Sequence, residues 1–595
     1  MAFEPRFTTL VQVYEQALAS FGPRPLFGVK KDGTWQWSTY AEFGAKVDAM
    51  RGGLTRLGVE KGDRVAIISN NRPEWAIAAY ASYGIGASFV PMYESQQPKD
   101  WQYILADCGA KVLFAANATI AEGIAGHLDE LPDLKQVVII DGSSEGCMAF
   151  DELVSGESAP IAAVEGEDIA GYIYTSGTTG KPKGVLLSHH NFASNVSAIH
   201  EIFPIAEDDR SLSFLPWAHS FGQTVELHGL FSMGGSMGIA EAVDKIVANL
   251  AEVKPTLLFS VPRIFNRIYD GLHKRMAEAG GLKLKLFEAA VSTAEQRKRL
   301  ADQRKRSGWT DFKFNILDGL VFSKVRDRFG GRLKYAFSGG AALSKEVAEF
   351  VDNLGIMVYE GYGLTETSPI ATANNPSARR IGSVGKPIPG VHIHIDKEAT
   401  DDPKHGEIVI IGPNVMQGYY GLEEENERVF VDIEGKKGFR SGDMGYLDDD
   451  GFLYITGRIK EQYKLMNGKY VVPTPLEERI KLSRFVANIM IHGANEVFNV
   501  ALVVPDFDTL LPWAQEKGLG SDRAALMQND AVRTLIQDEI DRYGADFKQY
   551  EKPRKVALVE EDFTTENGLL TPKMSLKRRK VMERYGDTIA ALYKD

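Results

Sequence analysis

Hydrophobic and polar residues alternate with two different periods between the N-terminus and Asp141. After Thr9, and again after Thr39, apolar side chains recur every three to four positions, which predicts two helices that begin at these threonines. Three uninterrupted apolar runs, VAIIS, ASFVPMY and KVLFAA, predict buried strands, and the helical segments PEWAIAAYASYG and PKDWQYILADCG lie between them. Because apolar strands that alternate with helices are typical of parallel sheets covered on both faces, this region predicts a βα-layered sheet.

The pattern changes further along the chain. Residues 141–168 are small and acidic and predict a surface loop, after which βα alternation resumes to about residue 390. Short strands then dominate (VHIHI, GEIVII, GFLYITG), and a separate set of helices and strands follows Arg458. The predicted fold class is therefore α/β. It has a large N-terminal domain of βα-layered sheets plus a strand-rich subdomain, residues 1–459, and a smaller α+β C-terminal domain, residues 460–595.

A helical insertion is predicted at about residues 270–332 of the N-terminal domain. Its segment from Lys283 to Trp309, KLKLFEAAVSTAEQRKRLADQRKRSGW, is rich in Lys and Arg. A solvated helical face explains such a charge run. The functional alternative is a surface that rests on an anionic membrane.

Composition and charge limit the function classes. A chain of 595 residues is too long for one hydrophobic core, and 44% hydrophobic with 25% charged residues is ordinary for a globular protein. The net charge of −12 argues against nucleic acid as a partner. The two cysteines, Cys108 and Cys147, lack metal-ligand spacing; a disulfide stays open, although two free thiols in a reducing compartment fit better.

Charged residues stand where a signal peptide needs apolar ones, at Glu4, Arg6 and Glu15. No apolar run reaches the roughly 20 residues of a membrane-spanning helix. We therefore expect a cytoplasmic protein whose only contact with a membrane is peripheral, at the inner face. The sequence does not determine the oligomeric state.

The segment YTSGTTGKPKGV, from Tyr174 to Val185, has the composition of a phosphate-binding loop. A Walker A loop is excluded, because two residues rather than four separate Gly177 from Gly180 and an apolar strand pattern, VLLS, follows instead of a helix. The loop is thus predicted to join two strands, with glycines that allow close backbone approach and with hydroxyls and lysines that bind phosphate.

This segment closely resembles the signature of the adenylate-forming enzymes, which include acyl-CoA synthetases, firefly-type luciferases and the adenylation domains of peptide synthetases. Further segments resemble that family's motifs in the same order: LPWAHSFG, SGGAAL, YEGYGLTETSP, SVGKPIPG and RSGDMGYLDDDGFLYITGRIKE. The resemblance covers nearly the whole chain. It implies that a carboxylic acid is joined to the α-phosphate of ATP with release of pyrophosphate, and that the acyl group then passes to a thiol.

The resemblance also implies an ATP site. Tyr362 would lie against adenine, Asp443 would accept hydrogen bonds from the ribose, and Arg458 would reach ribose and phosphate. Thr365 would donate to the α-phosphate, and Glu366, with Thr178, would hold Mg²⁺. The remaining expected ATP-binding residues are Thr175, Ser176, Gly177, Thr179, Gly180, Lys181, Gly339, Gly340, Ala341 and Gly363.

The same resemblance assigns roles outside the nucleotide site. His219 matches a histidine at the junction of acyl group and nucleotide and is expected to position the substrate. Trp217 and Phe221 are expected in the wall of the acyl pocket, with core packing as the alternative. Lys460 matches the hinge about which the C-terminal domain rotates after adenylation, and Gly468 is expected to leave room for pantetheine in the tunnel for CoA.

The C-terminal segment departs from the family pattern. LTPKMSLKRRKV, aligned on the pattern Thr-Pro-x-x-Lys-x-Lys-Arg, places Ser575 where a lysine is expected to assist adenylation. Lys577 or Lys573 is expected to replace it, with Lys577 preferred; slow adenylation or an impaired enzyme are the alternatives.

The substrate follows from resemblance alone. The insertion and the NGLLTPKMSLKR ending are similar to those of long-chain and very-long-chain fatty acyl-CoA synthetases, including the bubblegum type. The predicted function is an ATP- and Mg²⁺-dependent long-chain fatty acid–CoA ligase. Two alternatives remain: a fatty acyl-AMP ligase that loads a separate carrier protein, and a catalytically weakened homologue that binds lipid or nucleotide.

Overall fold

A computed structural model of the chain describes residues 3–175, 181–399, 404–571 and 575–594. Its helices are α1 Leu10–Phe21, α2 Tyr40–Arg56, α3 Pro73–Ile85, α4 Pro98–Cys108, α5 Ala118–Ala125, α6 Phe150–Leu153, α7 His189–Ile202, α8 Gly229–Ser232, α9 Ile246–Val253, α10 Pro262–Ala279, α11 Gly281–Asp302, α12 Gly308–Leu317, α13 Ser323–Asp327, α14 Lys345–Asn353, α15 Glu423–Val429, α16 Pro473–Ile480, α17 Phe507–Glu516, α18 Arg523–Met527, α19 Asp530–Tyr543 and α20 Arg578–Ala591.

The strands of the described residues form five sheets. They are β1 Pro25–Lys31, β2 Thr34–Thr39, β3 Arg64–Ile68, β4 Ser88–Met92, β5 Val112–Asn117, β6 Gln136–Asp141, β7 Met148–Ala149, β8 Ile169–Thr175, β9 Lys183–Ser188, β10 Arg210–Ser213, β11 Ser236–Ile239, β12 Leu257–Ser260, β13 Tyr335–Ser338, β14 Val358–Gly363, β15 Ile370–Ala373, β16 Lys386–Pro387, β17 His392–Asp396, β18 Gly406–Ile411, β19 Gly418–Tyr419, β20 Phe430–Ile433, β21 Lys436–Leu447, β22 Leu453–Arg458, β23 Tyr463–Lys464, β24 Tyr470–Val471, β25 Val486–His492, β26 Asn499–Pro505 and β27 Pro553–Leu558.

The two predicted N-terminal helices begin where the sequence indicates. The Thr9 side chain accepts from the backbone N–H of Gln12 at the start of α1. Thr39 and Glu42 form a capping box at the start of α2, which satisfies two backbone donors that a helix end leaves without partners. Residues 141–168 are less irregular than predicted, because they include β7 and α6.

Two large sheets form the N-terminal region. One has eight strands in the order β19-β9-β8-β4-β3-β5-β6-β7, in which β3 to β8 pair in parallel. The other has nine strands in the order β16-β15-β14-β13-β12-β10-β11-β1-β2. Helix α3 is buried from Trp75 to Ile85 in the core shared by strands of both sheets, as expected for a helix without a polar face. The predicted layered α/β architecture is confirmed.

The strand-rich subdomain and the C-terminal region follow in chain order. Strands β17, β18, β20, β21 and β22 form a separate antiparallel sheet. After β22, a sheet of β25, β26 and β27 and helices α16 to α20 enclose hydrophobic cores of their own. This arrangement fits the predicted α+β character of the C-terminal unit.

The predicted insertion connects two neighbouring parallel strands, β12 and β13. Helices α10 to α13 occupy this connection, and a π-helical turn, Asp318–Phe322, joins α12 to α13. These helices pack on a second hydrophobic core of the N-terminal region through buried phenylalanines, which are Phe265, Phe287 and Phe322. Within the described residues no helix is long and apolar enough to cross a bilayer.

Candidate active site

The phosphate-loop segment lies between two antiparallel strands of the eight-stranded sheet. Thr175 ends β8 and pairs with Lys183 at the start of β9, so the prediction that strands flank this loop on both sides is confirmed. Ser176, Gly177, Thr178, Thr179 and Gly180 lie outside the described residues. Lys181 is exposed, and its Nζ lies 5.2 Å from the centroid of the Tyr103 ring on α4.

Tyr419 links the strand after the loop to the expected metal ligand. It pairs with Val185 across β19 and β9, and its hydroxyl donates to Oε1 of Glu366 at 2.8 Å. Lys183 Nζ lies 5.1 Å from the Tyr419 ring centroid and forms an ion pair with Glu425. That hydrogen bond from Lys183 lowers the pKa of Glu425. Tyr419 therefore contacts a cation through its ring and the Glu366 carboxylate through its hydroxyl.

The three residues expected at adenine and ribose form one cluster. The Tyr362 hydroxyl donates to Oδ2 of Asp443 at 2.8 Å, and Arg458 Nε lies 3.0 Å from Oδ1. Asp443 and Arg458 face each other across β21 and β22, whereas Tyr362 comes from β14 of the nine-stranded sheet. Burial raises the pKa of Asp443 although Arg458 opposes the shift. Both carboxylate oxygens thus have a fixed donor and retain lone pairs for ribose hydroxyls.

Small residues and one aromatic ring line the space beside this cluster. A Cβ atom on Gly339 would lie 3.4 Å from the Phe221 ring, so the expected adenine-lining and acyl-lining residues are neighbours. Gly340, with a φ of +80°, and Ala341 follow as exposed residues of the loop. At Gly363 a Cβ would approach the Pro369 carbonyl to 1.7 Å, so no larger residue fits this backbone.

His219 lies at the start of an unusual helix. The backbone N–H of Phe221 donates to His219 Nδ1 at 3.0 Å, which places the proton of a neutral imidazole on Nε2. Next to it, the Ser220 hydroxyl donates to Thr365 Oγ1 at 3.5 Å. The segment Phe221–His228 is a π-helix, a form that occurs mainly as short turns at functional sites and that the sequence did not predict.

Asn71 fixes the segment that carries His219, and sequence reasoning missed it. Its Nδ2 donates to the Leu215 carbonyl at 2.7 Å and to the Ser213 hydroxyl at 3.0 Å, and its Oδ1 accepts from the Trp217 N–H at 2.8 Å. The residue follows β3, at the carboxyl end of a parallel strand. A polar side chain just after a parallel strand was the feature of the sequence that could have indicated a functional role, because ligands bind at this edge of α/β sheets.

Trp217 is buried completely, and its ring lies 5.7 Å from the rings of both Trp75 and Phe27. It therefore packs in the core, and its place in the acyl pocket stays a prediction. Nearby, the carboxylate of Glu226 accepts from the hydroxyls of Ser211 at 2.7 Å and Ser213 at 2.9 Å. Burial raises the pKa of Glu226 to about 7.

Of the two lysines expected to assist adenylation, the structure describes Lys577 and not Lys573. Lys573 lies outside the described residues. Lys577 lines a cavity of about 510 Å³ between the C-terminal unit and the start of α4, whose lining also includes Lys99, Asp100 and Lys580. Arg578 instead pairs with Glu477 inside the C-terminal unit. Lys577 is thus the described candidate that faces the N-terminal domain.

The expected hinge residue Lys460 lies two residues after Arg458 of the nucleotide cluster, and the expected CoA residue Gly468 lies in a separate hairpin. Lys460 is exposed in a 3₁₀ turn, Ile459–Glu461, directly after β22. Gly468, with a φ of +82°, lies in the turn between β23 and β24. Met466 and Tyr470 of the same hairpin are 69% and 41% exposed, so this hairpin does not line a tunnel in the described arrangement.

Comparison with known proteins identifies the family. The profile of the AMP-binding enzymes matches residues 14–420, and the profile of the AMP-binding enzyme C-terminal domain matches residues 460–595. The chain belongs to the AMP-binding enzyme family.

Curated relatives of this AMP-binding enzyme match over nearly their whole length. Long-chain-fatty-acid–CoA ligase FadD15 of Mycobacterium bovis is 34% identical, with 94% of this chain and 93% of that protein covered. The peroxisomal long chain acyl-CoA synthetase 7 of Arabidopsis thaliana is 32% identical over 99% of this chain and 87% of that protein. Long-chain-fatty-acid–CoA ligase ACSBG1 of Bos taurus is 31% identical, with 99% and 85% covered.

Solved structures agree in fold. The adenylation domain of a carboxylate reductase from Mycobacterium chelonae superposes with a TM-score of 0.80 at 23% identity, with 100% of this chain and 92% of that chain covered. The anthranilate CoA ligase AuaEII, in complex with anthranoyl-AMP, gives a TM-score of 0.74 at 20% identity, with 99% of both chains covered. The fold of the AMP-binding enzymes is therefore present over the whole chain.

The Glu366 region fits a magnesium ion bound together with nucleotide. Mg²⁺ is usually held by one or two carboxylates plus substrate phosphates. Glu366 supplies a carboxylate oriented by Tyr419, and the described residues contain no group of three or more acidic, His or Cys ligands. An ion at this place would thus depend on the phosphates for most of its ligands.

Proposed function

We propose that this chain is an AMP-forming long-chain fatty acid–CoA ligase. It joins a long-chain fatty acid to ATP as an acyl-adenylate, releases pyrophosphate and transfers the acyl group to CoA. The observation that carries the proposal is the near full-length similarity to curated long-chain-fatty-acid–CoA ligases from bacteria, plants and animals. The cluster of Tyr362, Asp443 and Arg458 supports it, because it offers both an aromatic face and a carboxylate to a nucleoside.

In the first step, a carboxylate oxygen of the fatty acid attacks the α-phosphorus, and the bond to pyrophosphate breaks. Both reactants are anionic, so the chain's contribution is positioning and positive charge. Thr365 donates to the α-phosphate, Arg458 approaches ribose and phosphate, and Lys577 or Lys573 supplies charge from the C-terminal unit. Mg²⁺ held at Glu366 would neutralise phosphate charge when bound.

In the second step, the CoA sulfur attacks the acyl carbonyl carbon and AMP leaves with the electrons of the broken C–O bond. His219 can donate a hydrogen bond from Nε2, because Nδ1 accepts from the backbone. It thereby holds the acyl–nucleotide junction in place. Phe221, which lies next to Gly339, and Trp217 would border the path of the acyl chain.

Two further parts of the proposal concern the whole chain. Residues 1–459 and 460–595 act as two domains, with a hinge at Lys460 that moves the C-terminal unit between the two steps. The rotation brings Gly468 and its hairpin to the thiol, which explains why that hairpin is exposed before rotation. The insertion makes a peripheral contact with a membrane.

The test is a product assay with purified full-length protein, ATP, Mg²⁺, CoA and fatty acids of increasing length. We expect AMP and acyl-CoA in equal amounts, with the highest kcat/KM for long chains. Acyl-adenylate without acyl-CoA would support the acyl-AMP ligase instead, and no acid-dependent AMP would support a weakened binding homologue. The Asp443→Asn variant is the negative control, since it keeps the side-chain volume and removes the charge.

A further inference from the structure

An exposed apolar stripe runs along the insertion on the solvent side of α12. Trp309 and Phe312 are 72% and 57% exposed, and Ile316 and Leu320 are 49% and 50% exposed. Their spacing of three, four and four residues places them on one face of a helix. The opposite face is fixed to the protein, because Leu317 and Phe322 are buried in the second core.

The stripe does not result from a poorly anchored helix. Arg297 of α11 pairs with Asp311 at 2.9 Å and lies over the Phe314 ring at 4.6 Å. Trp309 and Phe312 pack on each other with ring centroids 5.9 Å apart. The helix that carries the exposed apolar side chains is therefore anchored to its neighbour while these side chains stay exposed.

Basic residues surround the stripe. Residues 281–324 contain ten Lys and Arg and five Asp and Glu, a net charge of +5 in a chain whose net charge is −12. The exposed residues Lys305, Arg306, Lys313 and Lys324 form no ion pair within the part of the chain that the structure describes. Lys313 and Lys324 each follow a stripe residue by one helical turn.

We infer that this stripe docks the protein on an anionic lipid bilayer, with α12 lying in the interface. Aromatic and aliphatic side chains enter the boundary between headgroups and acyl chains, and lysines and arginines contact the anionic headgroups. Each basic residue near such a surface adds to the electrostatic attraction. The basic residues around the apolar stripe complement anionic headgroups, so the proposed partner of this face is lipid. The inference specifies the membrane contact of the proposed function and names its residues.

The test uses full-length protein and vesicles, without substrates. Wild type should cosediment with vesicles that mix phosphatidylglycerol with phosphatidylcholine, and much less with vesicles of phosphatidylcholine alone. The triple variant Trp309→Ser, Phe312→Ser, Leu320→Ser should lose at least about tenfold in binding, as expected for the apolar area removed. Lys313→Glu with Lys324→Glu should abolish the preference for anionic lipid.

Val243→Ser with Val247→Ser is the matched control, because these residues are 76% and 66% exposed on another surface. It should bind vesicles as wild type does. Equal binding by wild type and the stripe variant would overturn the inference, as would a wild-type dimer that the stripe variant dissociates without any vesicle binding. Turnover of a soluble acid should be unchanged in the stripe variant, which separates this test from failure of the proposed ligase activity.

Discussion

Asp443 is a buried carboxylate of the candidate nucleotide site that contacts both an aromatic hydroxyl and a guanidinium. Its two oxygens already contact Tyr362 and Arg458, so in the proposed complex the ribose would bind to a pre-ordered group. Pre-ordering reduces the side-chain entropy lost on binding. The same arrangement explains why a carboxylate can be buried here although burial raises its pKa.

Asp443→Asn should lower kcat/KM for ATP by about 10- to 100-fold, because hydrogen bonds to a charged partner contribute roughly 1.5–3 kcal/mol. Steady-state kinetics with saturating acid and CoA would measure it. Asp450→Asn is the control: this exposed carboxylate pairs with Arg380 and should leave ATP kinetics unchanged. An unchanged Asp443→Asn enzyme would remove this residue from the site.

Glu226 should make stability depend on pH. Its pKa is raised from 4.5 to about 7, so the folded state holds a proton that the unfolded state loses as pH rises from about 4.5. Stability therefore falls across this window and levels off above about pH 7, with a total loss of about 3 kcal/mol.

Glu226→Gln removes the titrating carboxyl group and with it this pH-dependent contribution to the free energy of unfolding. We expect the variant to equal wild type near pH 4.5 and to be more stable above pH 7, as measured by denaturant unfolding at both values. Burial also raises the pKa of Glu360 to about 7, but its contribution to the pH dependence is the same in both proteins and cancels in the comparison. Parallel stability–pH curves for the two proteins would contradict the assignment.

At the scale of single elements, the segment from Ser213 to the π-helix depends on a residue outside it. Asn71→Ala removes three hydrogen bonds that fix this segment. Because small displacements of positioning groups reduce catalysis strongly, we expect kcat for acyl-adenylate formation to fall about 10- to 100-fold while the KM for ATP changes little. Asn70→Ala, at the exposed neighbouring residue, should behave as wild type. An increased KM for ATP with normal kcat would argue against positioning.

The C-terminal loop allows a test of the missing lysine. Lys577→Ala should reduce ATP–pyrophosphate exchange at least about tenfold if this side chain supplies the charge, because the reaction brings two anions together. Lys580→Ala, in the same cavity lining but paired with Glu583, is the matched control. If Lys577→Ala and Lys573→Ala both leave exchange unchanged, neither lysine assists adenylation.

Elements with strong local signals could be predicted from the sequence, and long-range arrangements could not. Thr9, and Thr39 with Glu42, mark helix starts through hydrogen bonds between near neighbours, which a sequence displays directly. The pairing of β1 with β11 in the nine-stranded sheet depends on residues more than 200 positions apart, and nothing local encodes it. The π-helix is equally hidden, because its apolar pattern predicts an ordinary helix.

The candidate site divides in the same way. Tyr362, Asp443 and Arg458 were predictable because they stand in motifs that resemble a known family, and the structure brings them together. Tyr419 and Asn71 were missed because each acts by supporting another residue. Such roles follow from packing that only three-dimensional contacts define.

At the scale of the whole molecule, one contact between the two units lies at helix α14 of the N-terminal region. Arg479 of α16 lies 3.2 Å from Glu346 of α14, and the hydroxyl of Tyr269 on α10 donates to the same carboxylate at 2.6 Å. The C-terminal unit thus contacts the N-terminal region beside the start of the insertion. The proposed rotation about Lys460 would break this contact and re-form it in each catalytic cycle.

Lys460→Pro should separate the two half-reactions. Proline fixes φ at about −65°. A 3₁₀ turn accepts this angle, but the proline also disfavours the helical conformation of Ile459 before it, so near-normal ATP–pyrophosphate exchange is the check that the described arrangement is retained while rotation is restricted. We expect ATP–pyrophosphate exchange within about twofold of wild type and acyl-CoA formation reduced at least about 100-fold. Lys460→Ala, which leaves the backbone free, should retain both. Equal loss of both activities in the proline variant would show that the hinge lies elsewhere.

The pairing of Tyr419 with Val185 has a consequence for the order of events. It ties the strand after the phosphate loop to the side chain that orients Glu366, and all of these residues belong to the N-terminal unit. In the proposed mechanism, the described residues that would face the triphosphate are therefore held by the N-terminal unit alone. ATP would then bind first, and the proposed rotation, which presents either Lys577 or the Gly468 hairpin, would decide which half-reaction the bound substrates undergo.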